Sequence, residues 1–320
     1  MKDNNLLEIN RSLLEVLLKD NSTGRNILWA TDDYLKFGSA CSSDKEIKIN
    51  QVLLRKGGII KPRIEKTAAE QRRRVRQKAE VFTPSWVCNM QNNRVDEEWF
   101  GRKCMFNIEE ENRWKTIADK ISFPASGNKT WQDYVLSERL EISCGEAPYI
   151  TSRYDAVTGE CIDVANRIGL LDRKLRVVSE NTEIRDDWIE WACRAVQNVY
   201  GFDWQGDNVF IARENLLFTI AEYYEVKFRE ELESGDLLRF AKVISWNIWQ
   251  MDGLRFVIPN SCCVKETVEA DLFESKVVRK PCEGCASGDN KKHNGIYCMI
   301  KDWKRNRKIR FADIVSGSVR

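Results

Sequence analysis

Histidine is almost missing from this sequence: His293 is the single one in 320 residues. Serine or cysteine catalysis that relies on a histidine base is thereby reduced to one candidate, and that candidate falls inside a cysteine cluster. Long apolar runs are also missing. Lys2, Asp3, Glu8, Arg11 and Glu15 interrupt the first eighteen residues, so neither a signal peptide nor a membrane helix is expected there or further on. Charge of one sign is lacking too: 51 Lys and Arg stand against 49 Asp and Glu, a net +2. Composition therefore does not mark a nucleic-acid-binding protein, and any affinity for DNA must come from local patches. No internal repeat is found.

Cysteine, by contrast, is abundant. Eleven cysteines without a secretory signal point to reduced thiols in the cytoplasm, where a tight cluster is better explained by metal ligation than by disulfides. At 42% hydrophobic residues the chain can bury a large core, as one large domain or two modest ones. Residues 1–78 read as an accessory α+β segment, with an amphipathic helix near Leu6 to Leu18, a strand at Asn26 to Ala30 and a helix over Ile64 to Lys78. Residues 79–260 alternate strand-like and helical stretches, which predicts an α/β sheet. Residues 261–320 form a small Cys-rich, basic module.

Two basic runs stand out, Arg72 to Lys78 and Lys301 to Arg310, and both can sit on phosphates or on a solvated face. Cys282, Cys285, His293 and Cys298 have the residue types and spacing of a structural tetrahedral zinc site, with Cys262-Cys263 as substitutes for one ligand. Glu225-Val226-Lys227 offers the Glu-x-Lys half of a metal-dependent nuclease site, though its surroundings read as helix.

Three strand-like segments end in acids. Arg139 to Ile142 carries Glu141 and runs into Cys144-Gly145, Tyr200 to Phe202 ends at Asp203, and Ser245 to Gln250 leads to Asp252. A carboxylate beside a glycine turn and a helix N-terminus can orient a nucleoside, and a second acid can accept ribose hydroxyls.

With Phe82-Thr83-Pro84 upstream and Ala212-Arg213-Glu214-Asn215-Leu216 after Asp203, this ordered series resembles the adenine-N6 DNA methyltransferases of restriction-modification systems. The resemblance spans about residues 78 to 260. It implies a methyltransferase-like doubly wound sheet and an S-adenosylmethionine pocket made by Phe82, Thr83, Pro84, Glu141, Cys144, Gly145, Asp203 and Asp252. It also implies DNA as partner and a bacterial cytoplasm. Glu141, Ile142 and Ala147 stand where the family has Asp, Pro and Gly, which adds side-chain bulk to the loop. The Asn-Pro-Pro-Tyr or Asp-Pro-Pro-Tyr tetrapeptide that grips the target base is not among the 320 residues. The expectation is thus the cofactor-binding part of a split methyltransferase whose catalytic half lies on a second polypeptide. The alternatives are a non-catalytic DNA- or protein-binding subunit of degenerate methyltransferase fold and, less well matched, a metal-dependent nuclease.

Overall fold

A computed structural model describes residues 11–52, 59–78, 80, 82–124, 129–270 and 275–317. The chain begins with helix α1 (Arg11–Leu18), whose Leu13, Leu14, Leu17 and Leu18 are buried at helical spacing. A short α2 (Ile49–Val52) follows, then α3 (Ala68–Lys78) and α4 (Ser85–Phe100). Pro84 opens α4, where its missing N–H costs nothing, and Gly101 closes it in the left-handed conformation at φ 69°. Strands β1 (Asn107–Glu110) and β2 (Arg113–Thr116) make an antiparallel hairpin. Helix α5 (Trp131–Leu136) starts at a capping box between Thr130 and Asp133.

The central sheet comes next. Strand β3 (Arg139–Ile142) pairs in parallel with β4 (Val199–Asp203), Glu141 opposite Gly201, and the crossover between them carries α6 (Leu170–Asn181) and α7 (Arg185–Gln197). After β4 come α8 (Gly206–Phe228) and α9 (Ser234–Asn247), then β5 (Ile248–Gln250), again parallel, with Asp203 opposite Gln250. The strands thus lie in chain order, and helical crossovers are what parallel pairing requires. The remaining elements are the hairpin β6 (Lys265–Ala270) and β7 (Ser275–Lys280), α10 (Glu283–Ser287), the hairpin β8 (Met299–Asp302) and β9 (Arg307–Arg310), and α11 (Phe311–Val315). The result is a mixed α/β fold with four small sheets among the described residues.

Alternation along the strands divides the interior. Val199 and Ile248 face a core that runs from Leu13 of α1 through α6 to α9, so the N-terminal segment and the sheet share one interior. Phe202 and Trp249 face the other way and pack with Met251, Ile258, Cys298, Ile300 and Phe311. Arg213 of α8 is fully buried and ties these parts together. Its guanidinium donates to the carbonyls of Leu17, Lys19, Ser245 and Ile248, at 2.6–3.1 Å. Burial pushes this guanidinium down to about 10, against attraction from Asp20.

The expected strand from Ser245 is shorter than its apolar pattern suggests, because α9 continues to Asn247 before β5 begins. The Asn247 side chain donates to Val196 and Val199 carbonyls, which closes the end of that helix against β4. Asn26 to Ala30 is extended but makes only isolated bridges, Asn26 to Lys19 and Leu28 to Glu46.

Candidate functional site

The loop after β3 folds back on the strand ends. Ser143, Gly145 and Ala147 all take left-handed φ, at 51°, 53° and 64°, so alternate peptides are turned over. The turned amides find carboxylates. Asp203 accepts the Gly145 N–H at 3.0 Å and the Gln205 N–H at 2.8 Å, while Glu141 accepts from Tyr149 and Ile150 at 3.4 and 3.2 Å. Burial pushes Glu141 up to about 8 and Asp203 up to about 6, in each case against the pull of these amides. Cys144 is buried, its thiol pushed up mainly by burial, and its N–H continues the sheet to the Phe202 carbonyl at 2.9 Å. Beside Gly145 there is open space on the side a Cβ would occupy.

Phe82, Thr83 and Pro84 approach the same loop. The Arg63 guanidinium lies 3.8 Å from the Phe82 ring centre, and the Arg63 N–H donates to Glu146 at 2.6 Å. Glu146 is also buried and accepts the Tyr154 hydroxyl at 2.7 Å, while Asn215 donates to its carbonyl. Asp252 is separate. Its carboxylate caps its own turn through Leu254 N–H and Arg255, and its main chain meets β4 only through the neighbouring Met251 N–H to Asp203 O bond. Glu141, Cys144, Gly145 and Asp203 are therefore brought together with Phe82 alongside, and the Asp252 side chain is turned away.

A polar network missed in the sequence reading sits next to this edge. Arg74, 4% exposed, pairs with Glu80 at 2.5 Å and Asp207 at 2.7 Å and donates to Gln205. Lys66 and the Tyr34 hydroxyl also reach Asp207, at 3.2 and 2.7 Å. Asp207 opens α8, and although burial raises it, Lys66 and Arg74 hold its carboxyl well below the usual range. Two polar atoms in this neighbourhood are buried without a partner, Arg63 Nη1 and Asn208 Oδ1. Both residues adjoin Glu80: Asn208 Nδ2 donates to it at 3.0 Å, and its charge acts on Arg63. The first basic run is thus partly structural, with Arg74 inside and Arg73 paired to Asp33 at 3.2 Å.

The Cys/His cluster is present with one change of member. Cys262, Cys282 and Cys285 each place Sγ 3.6 Å from His293 Nδ1, and the ligand atoms all lie within 4.8 Å of one another. A tetrahedral zinc with ordinary Zn–S and Zn–N bonds needs ligand separations of about 3.6 Å, so the set has the right size. His293 Nε2 lies 3.4 Å from Asn290 Oδ1; protonated there, it leaves Nδ1 free to ligate. The Asn294 N–H donates to Cys282 Sγ at 3.2 Å, and Gly284 passes so close to His293 that a Cβ would come within 2.6 Å of its backbone nitrogen.

Cys298 is not the fourth corner. It is fully buried under the sheet with Phe202 and Trp249, donates to the Gln250 carbonyl at 3.4 Å, and burial pushes its thiol up. Cys262 takes its place because the chain turns at Asn260 (φ 62°) and passes tightly by Gly295, where a Cβ would lie 2.9 Å from Cys262 N. Glu225 and Lys227 lie on α8, with Lys227 bonded to Ser179 O and Glu183, so a strand-borne Glu-x-Lys site is not formed. No helix among the described residues is long and apolar enough to cross a membrane. Comparison with models of protein families, with curated proteins and with solved structures found no match.

Proposed function

We propose that residues 79–260 form the S-adenosylmethionine-binding part of a DNA adenine-N6 methyltransferase, and that Cys262, Cys282, Cys285 and His293 hold a structural zinc ion beside it. The observation that carries the reading is the parallel sheet β3–β4–β5 in chain order, with a left-handed loop closing over Glu141 and Asp203 at its carboxyl edge. Ligands of open α/β sheets bind at that edge. On this reading the three strands belong to a methyltransferase-like doubly wound sheet. Among the described residues β3 pairs only with β4, so its outer edge is free to take a further strand.

The residues fit the cofactor chemically. Open space adjoins Gly145, Phe82 already carries a cation on its ring, and Arg63 Nη1 and Asn208 Oδ1 offer a buried donor and acceptor with no other use. Asp203 would hold the ribose and Glu141 would hold the loop, since both its oxygens already accept loop amides. When bound, S-adenosylmethionine supplies the methyl group; gripping the target adenine would fall to segments outside these residues, on a second polypeptide in our reading. Eleven free thiols suit the reducing cytoplasm.

The occupation of Asp203 by Gly145 and Gln205 favours a second reading, a non-catalytic DNA- or protein-binding subunit of the same fold. Methylation of duplex DNA by this chain with and without the product of the neighbouring gene tests the first. Activity that needs both supports a split enzyme, and robust activity by this chain alone contradicts it.

A further inference from the structure

The second basic run does not stand alone in the fold. Hairpin β8–β9 closes over the amino-terminal end of β3 and β4, and a cleft of about 840 Å³ runs between them, lined by Arg139, Arg194, Lys301, Lys304 and Arg305. Its floor is apolar and aromatic, including Leu140, Tyr200 and Trp249. Lys301 and Trp303 also line an adjoining groove of about 450 Å³, where Arg239, Lys242 and Trp246 continue the basic wall. Lys308 lies over the Trp246 ring at 5.2 Å, and Lys301 over Trp303 at 4.6 Å.

Cations outnumber carboxylates along this track, although four of them are ion-paired. Glu138 and Asp302 line the cleft, 3.8 Å from Lys304 and 3.7 Å from Arg305, and Glu190 spans Arg194 and Arg239. Those three carboxylates face the seven lining cations Arg139, Arg194, Arg239, Lys242, Lys301, Lys304 and Arg305. The Lys304 side chain is 74% exposed, and its contact with Glu138 is long, at 3.8 Å. An open groove with an excess of cations and with aromatic side chains along it is how proteins track a nucleic-acid backbone without reading bases.

We infer that this track binds the phosphodiester backbone of a nucleic acid, at the opposite end of the strands from Glu141 and Asp203. The inference extends the DNA-binding side of the proposed function and does not need the cofactor, so it stands or falls without S-adenosylmethionine. Exposed charge on a separate surface gives the control: Arg72 and Arg76 of the first basic run lie on α3 and are not part of the track.

The test is fluorescence anisotropy with labelled single-stranded and duplex oligonucleotides and the full chain, over a salt series, without cofactor. The triple variant K242E/K304E/R305E should bind at least about tenfold more weakly, with a salt slope flatter by roughly two to three for duplex. The double variant R72E/R76E should bind as the wild type does. No binding by the wild type, an unchanged triple variant, or equal loss in both variants overturns the inference. So does binding of labelled polyglutamate in preference to either oligonucleotide, which would assign the track to an acidic protein partner. Circular dichroism and zinc content of the triple variant separate lost binding from lost fold. Calorimetry with S-adenosylmethionine on the same variant should be unchanged, so the two proposals fail separately.

Discussion

The Asp203 carboxylate accepts the backbone N–H of Gly145 at 3.0 Å, and this bond ties the loop after β3 to the end of β4. Glu141, accepting from the Tyr149 and Ile150 N–H groups, holds the same loop from the β3 side. Substitution at Gly145 separates conformation from packing: its φ is 53° and nothing lies within 4 Å of the place a Cβ would occupy. Gly145→Ala should cost about 1–2 kcal/mol, the left-handed penalty alone. Gly206→Ala should prevent folding, because there a Cβ runs into the Leu28 carbonyl. Chemical denaturation of the two variants measures the contrast.

The metal centre predicts a swap of roles between two cysteines. Purified protein should carry one zinc per chain, and Cys262→Ser should lower that content severalfold. Cys298→Ser should keep the zinc and lose stability by about 1–3 kcal/mol, the cost of a hydroxyl imperfectly paired among Phe202, Trp249 and Ile300. Elemental analysis with thermal melts reads both.

The buried charge network predicts a large asymmetric loss. Removing Asp207 leaves Arg74 and Lys66 without their shared partner, so Asp207→Ala should cost about 3–5 kcal/mol. Double replacement of Arg74 and Asp207 by apolar residues should cost less than the sum of the single changes, and a double-mutant cycle measures the difference.

Glu141 predicts a slope of stability against pH. Its folded pKa of about 8 lies above an unfolded value of about 4.3, so the folded state holds the proton longer. The stabilisation is complete below about pH 4 and is lost as pH rises toward about 8. Glu141→Gln, which stays neutral, should flatten that decline by a few kcal/mol, on the order of the linked shift. Denaturation midpoints from pH 5 to 8 check the sign, and a steeper decline in the variant would contradict it.

Much of the sheet was legible in the sequence because β3 alternates around Glu141 before the Cys144-Gly145 turn and β4 is a short apolar run that closes on Asp203, and the chain does turn at Gly145 and after Asp203. The start of β5 was not, since Ser245 and Asn247 sit in an apolar run that serves helix and strand equally until Asn247 finds the Val196 and Val199 carbonyls. Three of the four metal ligands follow from local spacing. Cys262 does not, because hairpin β6–β7 separates it from Cys282 and only the close passage of Gly295 returns it to the cluster. Arg74 looked like surface charge because its partner Asp207 lies 133 residues away, a separation that no local pattern reports.

The most direct test of the account is isothermal titration of the purified chain with S-adenosylmethionine, wild type against Asp203→Ala. The wild type should show one site, and the variant should lose about tenfold to a hundredfold in affinity, the worth of hydrogen bonds to a charged group. Zinc content should be equal in both. No binding by the wild type, or equal binding by both proteins, would contradict it.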